Sequence, residues 1–363
     1  MPDLPADLRH PAAHRPGYGD PEWSSMRRIL VVRPDNVGDV LMTGPVFRAL
    51  RAAAPHASLD LLASPGGAAA AALLPEVDDV VTASVSWQQL DLVPGADPDA
   101  DLVAELTARD HDAAIVLTSF SQSPWPAAEL ARRAGIGVRV GTSKEFGGAL
   151  LTHWVPAPPD EVHQVDRMLG LLAAVGVPSQ GHTLHARVPL DAHVPAALDL
   201  ARYAVVAPGA SCPSRRWPPE RFAAVVRGLA EDGLTVAVTG TEREAELVAA
   251  VAGDVGLPVT GLELGDLAAV LTDAEVVVAN NSGGVHLADA VGAPVVELFA
   301  GTETVDQYRP RSTRAEVLTR PVSCSPCRQL VCPFDQECLA IGPDEVLAAS
   351  RRLRRVGMDV DVA

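Results

Sequence analysis

From Arg28 onward the chain alternates short β-branched runs with longer alanine-rich stretches whose apolar residues recur every three or four positions. The first pattern suits strands buried on both faces and the second suits amphipathic helices. Their alternation predicts βαβ units around a parallel sheet. Strands are expected at 28–33, 58–63, 78–83, 112–117 and 137–141, with helices from about Asp39, before Gly135, and over 161–176. A second set follows, with strands at 203–208, 234–240, 275–280 and 294–301 and helices at 219–233, 242–253, 265–274 and 283–292.

A chain of 363 residues exceeds the usual size of one core. The reading is therefore α/β, with two Rossmann-like doubly wound domains at 26–180 and 201–342. Residues 181–200 mix Pro, Gly and His without a period and read as a linker. Residues 343–357 begin with Pro and acids and end on arginines and Gly, the marks of a helix start and stop, and such a helix can pack on either domain. Residues 1–25, rich in Pro, Asp and His, read as a disordered or loosely packed extension.

Composition narrows the function. Hydrophobic residues at 48 % and charged residues at 21 % describe a folded globular protein. A net charge of -17 argues against nucleic acid as a partner and against broad attraction to an anionic membrane. No apolar run reaches the roughly 18 residues of a membrane span, and the start lacks the pattern of a signal peptide. A cytoplasmic location is expected, with at most peripheral contact at the inner face of the membrane.

Four segments join a strand end to a helix start, where ligands of doubly wound sheets bind. In "VVRPDNVGDVLMTGP" neither the dinucleotide nor the Walker glycine pattern is present. Asp39 there is either a helix N-cap or a carboxylate placed to take a proton from a hydroxyl, with Gly38 allowing the backbone to turn. In "APGASCPSRRWPPERF" the hydroxyls of Ser211 and Ser214, the cations of Arg215 and Arg216 and the helix from Pro219 make an anion site; otherwise Arg216 merely stacks on Trp217. Glu242 follows a strand end, where a carboxylate accepts from ribose hydroxyls or simply favours the helix dipole. In "NNSGGVHL" Asn281 and Ser282 can cap the next helix and bond a ligand, Gly283 and Gly284 permit close approach, and His286 adds a donor or packs in the core. His182 and His185 lack a nearby cysteine or carboxylate in sequence and read as loop residues.

Together and in this order these segments resemble the heptosyltransferase family of glycosyltransferases, glycosyltransferase family 9, of the ADP-heptose:lipopolysaccharide type. The resemblance spans nearly all of residues 27–355. It implies a GT-B architecture, with two domains facing across a cleft, acceptor on the first and nucleotide sugar on the second. It implies inverting transfer of a heptose, with ADP-heptose as donor, a lipopolysaccharide-core-type saccharide or other lipid-linked glycan as acceptor, and no required cofactor. Asp39 matches the catalytic aspartate. Arg215 stands where the family has a lysine, Glu242 where an acid meets the nucleoside, and Asn281 where an aspartate is usual. Ser282, Gly283, Gly284 and His286 fall around the donor's diphosphate. A GT-B-like nucleotide-sugar epimerase, or a binding homologue without turnover, would share these features; the Gly38-Asp39 pair favours catalysis.

Cys324, Cys327, Cys332 and Cys338 cluster with spacings C-x2-C-x4-C-x5-C, unlike paired zinc knuckles. In a cytoplasmic chain they suit a structural zinc ion or an iron-sulfur site better than disulfides, yet the resemblance requires none and a metal is not the favoured reading. Cys212 reads as a small packed residue.

Overall fold

The computed structural model describes residues 19–89, 97–119, 122–145, 148–198 and 202–354. Residues 1–18 of the expected extension, residues 199–200 of the expected linker and residues 355–357 of the expected last helix lie outside them. The chain divides after His182 into two compact units.

The first unit is built on β1 (Arg28–Arg33), β2 (Ser58–Ala63), β3 (Asp79–Thr82), β4 (Ala113–Val116), β5 (Val138–Ser143) and β6 (His153–Pro156). They pair in the order β3-β2-β1-β4-β5-β6, all parallel, with Ile29 opposite both Leu59 and Ala113. The second unit holds β7 (Tyr203–Ala207), β8 (Thr235–Gly240), β9 (Leu257–Thr260), β10 (Val277–Asn280), β11 (Val295–Leu298) and β12 (Ala315–Leu318). Its order, β12-β11-β10-β7-β8-β9, repeats the same winding, with Val277 opposite both Val205 and Val295. In each sheet the direction of winding reverses beside the first strand. The loops after β1 and β4, and after β7 and β10, therefore flank the two crevices where such sheets take ligands.

Strands β6, β9 and β12 are absent from the pattern of apolar runs. Each is a sheet edge of four residues, "HWVP", "LPVT" and "AEVL". An edge strand buries less than a central one and tolerates Pro and charge, so the apolar signal is lost there.

Three boundary readings change. The helix expected from about Asp39 is two helices, Val37–Leu41 and Gly44–Ala53, with the Thr43 hydroxyl donating to the Val40 carbonyl at 2.6 Å between them. Residues 184–198 are not a free spacer but run along the second unit: the Ala186 N–H donates to the Ala290 carbonyl at 3.1 Å and the His193 N–H to Asp266 Oδ1 at 2.7 Å. Trp23, within the expected extension, is 5 % exposed and its indole N–H donates to the Val175 carbonyl at 2.8 Å. The last helix, Pro343–Leu353, packs within the second unit, where a Cβ on Gly228 would lie 2.5 Å from Leu347 Cδ1. Gly228 thus lets two helices meet closely.

β11 carries a buried acid, Glu297, whose Oε2 has no hydrogen-bond partner among the described residues. Burial, helped by the nearby Asp289, pushes its carboxyl up from 4.5 to about 8. Between those values the folded state holds a proton that the unfolded state has released, so stability falls as pH rises through this window. Glu297→Gln removes that loss. Its melting temperature should match the wild type near pH 4.5 and exceed it by several degrees at pH 8.5, because each pKa unit is worth about 1.4 kcal/mol. A constant gap across the range, read by thermal melts, would contradict this account.

Candidate functional site

In the first unit β1 delivers Arg33 into the interior with 0 % of its side chain exposed. A guanidinium there must be paired. Its Nη2 donates to Asp39 Oδ1 at 2.6 Å and to Ser119 Oγ at 3.0 Å, and its Nε pairs with Asp35 Oδ2 at 3.0 Å. One cation thus fixes the loops after β1 and β4. Asp39 keeps 21 % of its side chain exposed, so it is oriented yet reachable. It is not a helix N-cap: Asn36 holds that place, and Asp39 lies in the first turn of Val37–Leu41, which favours an anion. Gly38 lies inside the same turn and has no left-handed φ, so the turn expected of it is not seen. The close approach belongs to Gly67, where a Cβ would sit 2.5 Å from the Asp35 carbonyl oxygen.

In the second unit Asn280 ends β10 with no exposure. Its Nδ2 donates to the Pro208 carbonyl at 2.8 Å, and its Oδ1 accepts from the Trp217 N–H at 3.0 Å. This side chain stitches the loop after β7 to the loop after β10. Trp217 anchors the far end of the first loop, meeting Phe222 edge-on at 5.0 Å and donating its indole N–H to the Ile341 carbonyl at 3.2 Å. The adjoining Arg216 turns Nε and Nη2 back to the Ala210 carbonyl at 3.1 and 2.9 Å.

Arg215 is three-quarters buried, held by Thr302 Oγ1 at 2.9 Å and Glu303 Oε1 at 3.1 Å. These bonds use the Nε and Nη2 groups of the guanidinium. The helix Gly283–Val291 opens with Ser282 as N-cap, and a Cβ on Gly284 would meet nothing nearer than Ser282 Oγ at 3.7 Å. Ser282, Gly283 and Gly284 are half-buried, and the Val285 N–H is taken by the Ser282 carbonyl at 3.1 Å, whereas the Gly283 and Gly284 N–H groups lie before the first intrahelical acceptor. Ser211 is exposed on the loop.

Other expected ligand groups are engaged within the protein. The Ser214 hydroxyl donates to the Gln329 carbonyl and lies 3.2 Å from Cys212 Sγ. Asn281 Oδ1 accepts from the Ala300 N–H at 3.1 Å, tying the turn to the end of β11. His286 is 8 % exposed, with its ring 6.5 Å from that of Tyr308. Glu242 begins a short turn and lies against Gly261, while its neighbour Glu244 caps the same turn through Thr241 and covers Gly209. His182 does have a carboxylate, Asp166 Oδ1 at 2.6 Å, which the sequence spacing hid.

The four clustered cysteines are free thiols lining one cavity of about 20 Å³ with Ser214, Gly301 and Thr302. Burial pushes the Cys338 thiol up. Among the described residues no group of three or more His, Cys, Asp or Glu is placed to hold a metal ion. The segment is tied to the loops after β11 and β7: the Cys327 N–H donates to the Gly301 carbonyl at 2.9 Å and Gln336 Nε2 to the Pro213 carbonyl at 2.9 Å. Cys212 is buried and packed, as expected. No helix among the described residues is long and apolar enough to cross a membrane.

Two doubly wound parallel-sheet units in one chain are the GT-B fold, shared with solved heptosyltransferase structures. The family model of glycosyltransferase family 9 (heptosyltransferase) matches residues 100–337, and the chain belongs to that family. Lipopolysaccharide heptosyltransferase 2 of Escherichia coli (strain K12) is 24 % identical over 314 residues, covering 80 % of this chain and 87 % of that protein. Among solved structures, the glycosyl transferase family 9 protein from Veillonella parvula DSM 2008 superposes with a TM-score of 0.73 at 21 % identity, covering 92 % of this chain and 98 % of that one. The E. coli ADP-heptose lps heptosyltransferase II gives 0.68 at 22 % identity, covering 90 % and 98 %. E. coli heptosyltransferase WaaC with ADP-2-deoxy-2-fluoro heptose gives 0.67 at 19 %, covering 90 % and 99 %.

Proposed function

We propose that this glycosyltransferase moves a heptose from ADP-heptose to a lipopolysaccharide-core-type saccharide, with inversion at the anomeric carbon. The observation that carries the reading is the 2.6 Å clamp of the buried Arg33 on the partly open Asp39 carboxylate. Asp39 accepts the proton of an acceptor hydroxyl while its oxygen attacks the anomeric carbon and the bond to ADP breaks. One displacement from the face opposite the leaving group inverts that carbon. The charge developing on ADP is met by Arg215, the loop through Ser211 and Ser214, and the turn through Asn281, Ser282, Gly283, Gly284 and His286. Glu242 accepts from the ribose. The reading needs no metal ion.

Asn281 and Ser214 serve this site by shaping it, since each already bonds the neighbouring backbone. Arg215 in place of lysine keeps the positive charge, and with Nε and Nη2 held by Thr302 and Glu303 it offers its Nη1 group to a phosphate oxygen.

A panel of ADP-, GDP- and UDP-sugars read by thermal shift tests the donor. ADP-heptose should stabilise the wild type most, and Arg215→Ala should weaken ADP binding by about tenfold or more, the worth of a charged hydrogen bond. A larger shift with a GDP- or UDP-sugar contradicts the donor assignment. Unchanged ADP binding in the variant contradicts the role of Arg215.

A further inference from the structure

A long, rotatable arginine makes a poor phosphate ligand unless something holds it, because ordering the side chain costs entropy on binding. Arg215 is held by the protein itself. Its Nε donates to Thr302 Oγ1 at 2.9 Å and its Nη2 to Glu303 Oε1 at 3.1 Å. Both acceptors lie in the loop that follows β11, and Thr302 is 2 % exposed. Bonds to two adjacent residues fix the plane of the guanidinium, and Nη1 is the group they do not use.

The cysteine segment fixes these acceptors in turn. The Arg328 N–H donates to the Thr302 carbonyl at 3.1 Å and the Cys327 N–H to the Gly301 carbonyl at 2.9 Å, which holds the backbone that carries Thr302 and Glu303. The same segment holds the residue before the arginine: the Ser214 N–H donates to the Leu330 carbonyl at 3.2 Å and the Ser214 hydroxyl to the Gln329 carbonyl. The root and the head of Arg215 are thus both referred to one short stretch, residues 327–330.

Glu303 acts on an anion at Arg215 in two opposing ways. Its negative charge repels the anion, while its contact with Nη2 keeps the guanidinium in place. A phosphate at Nη1 meets the cation at hydrogen-bond distance, whereas the carboxylate bound to Nη2 lies farther off, so attraction to the fixed cation outweighs the repulsion. We propose that Thr302 and Glu303 are positioning residues for donor binding, which hold Arg215 with its Nη1 group ready for the phosphates. The proposal rests on the donor reading above and adds to it the pair that makes Arg215 effective.

The test follows ADP binding to the full chain by calorimetric titration and adenosine binding by saturation-transfer NMR. Glu303→Ala should weaken ADP by at least about fivefold, the scale of one charge-assisted hydrogen bond, with adenosine unchanged because it has no phosphate for Arg215 to meet. Thr302→Val alters no charge and should weaken ADP in the same direction. Glu303→Gln keeps an acceptor oxygen without the charge and should bind ADP as tightly as the wild type or more tightly. In a chain carrying Arg215→Ala, adding Glu303→Ala should change ADP binding by less than about twofold, since the acid acts through the arginine. Tighter ADP binding by Glu303→Ala, a loss in Glu303→Gln equal to that in Glu303→Ala, an equal loss of adenosine, or an effect that persists without Arg215 overturns the proposal. If Arg215→Ala itself leaves ADP binding unchanged, the donor role of Arg215 falls with it; if Arg215→Ala weakens ADP while Glu303→Ala and Thr302→Val do not, the proposal alone falls.

Discussion

Arg33→Met should lower the stability of the first unit by about 3–5 kcal/mol, the usual cost of removing one partner from a buried ion pair. The methionine fills much of the arginine's space but leaves Asp35 and Asp39 facing each other without the cation that now lies 3.0 and 2.6 Å from them. Thermal melts should show a fall of roughly 10 °C. Adding Asp35→Asn to the same chain removes one of the stranded carboxylates and should recover part of the loss, since residues in one network do not act additively. A melt unchanged by Arg33→Met would mean that the clamp does not hold the loops after β1 and β4.

Asp39→Asn should lower kcat for transfer by about 10²–10⁴, the span over which a positioned general base acts. The amide keeps the shape of the side chain but cannot accept a proton at neutral pH. Donor affinity should be unchanged, because the groups assigned to the diphosphate belong to a separate stretch of chain, from Ser211 to His286. Loss of rate with retained ADP binding separates a chemical role from a structural one.

The central strands were legible because each is buried on both faces and reads as a continuous apolar run, as in "RILVVR" and "EVVVAN". With their order came the crevices, and so the loops holding Asp39, Arg215 and Ser282. Less legible was anything set by contacts distant in sequence. Arg33 reads as the polar end of a strand, yet its partner Ser119 lies 86 residues away. An arginine closing an apolar run that is otherwise wholly buried was the available signal. Asn280 gave a similar one, an amide at the last position of β10, but the Pro208 carbonyl it bonds is 72 residues earlier. Ser214 and Asn281 looked like ligand groups because a hydroxyl or amide in a loop advertises bonding capacity without saying whether neighbouring backbone already uses it. Glu297 shows the same limit inside a strand, where the sequence displays an acid and only its surroundings hold it neutral.

The central claim is that Asp39 is the base for heptose transfer. The initial rate of transfer from ADP-heptose to a lipopolysaccharide-core oligosaccharide, measured side by side for the wild type and Asp39→Asn, tests it most directly. The account predicts wild-type turnover and a variant slower by at least about a hundredfold. A variant within tenfold of the wild type, or a wild type that transfers no heptose to that acceptor, would contradict it.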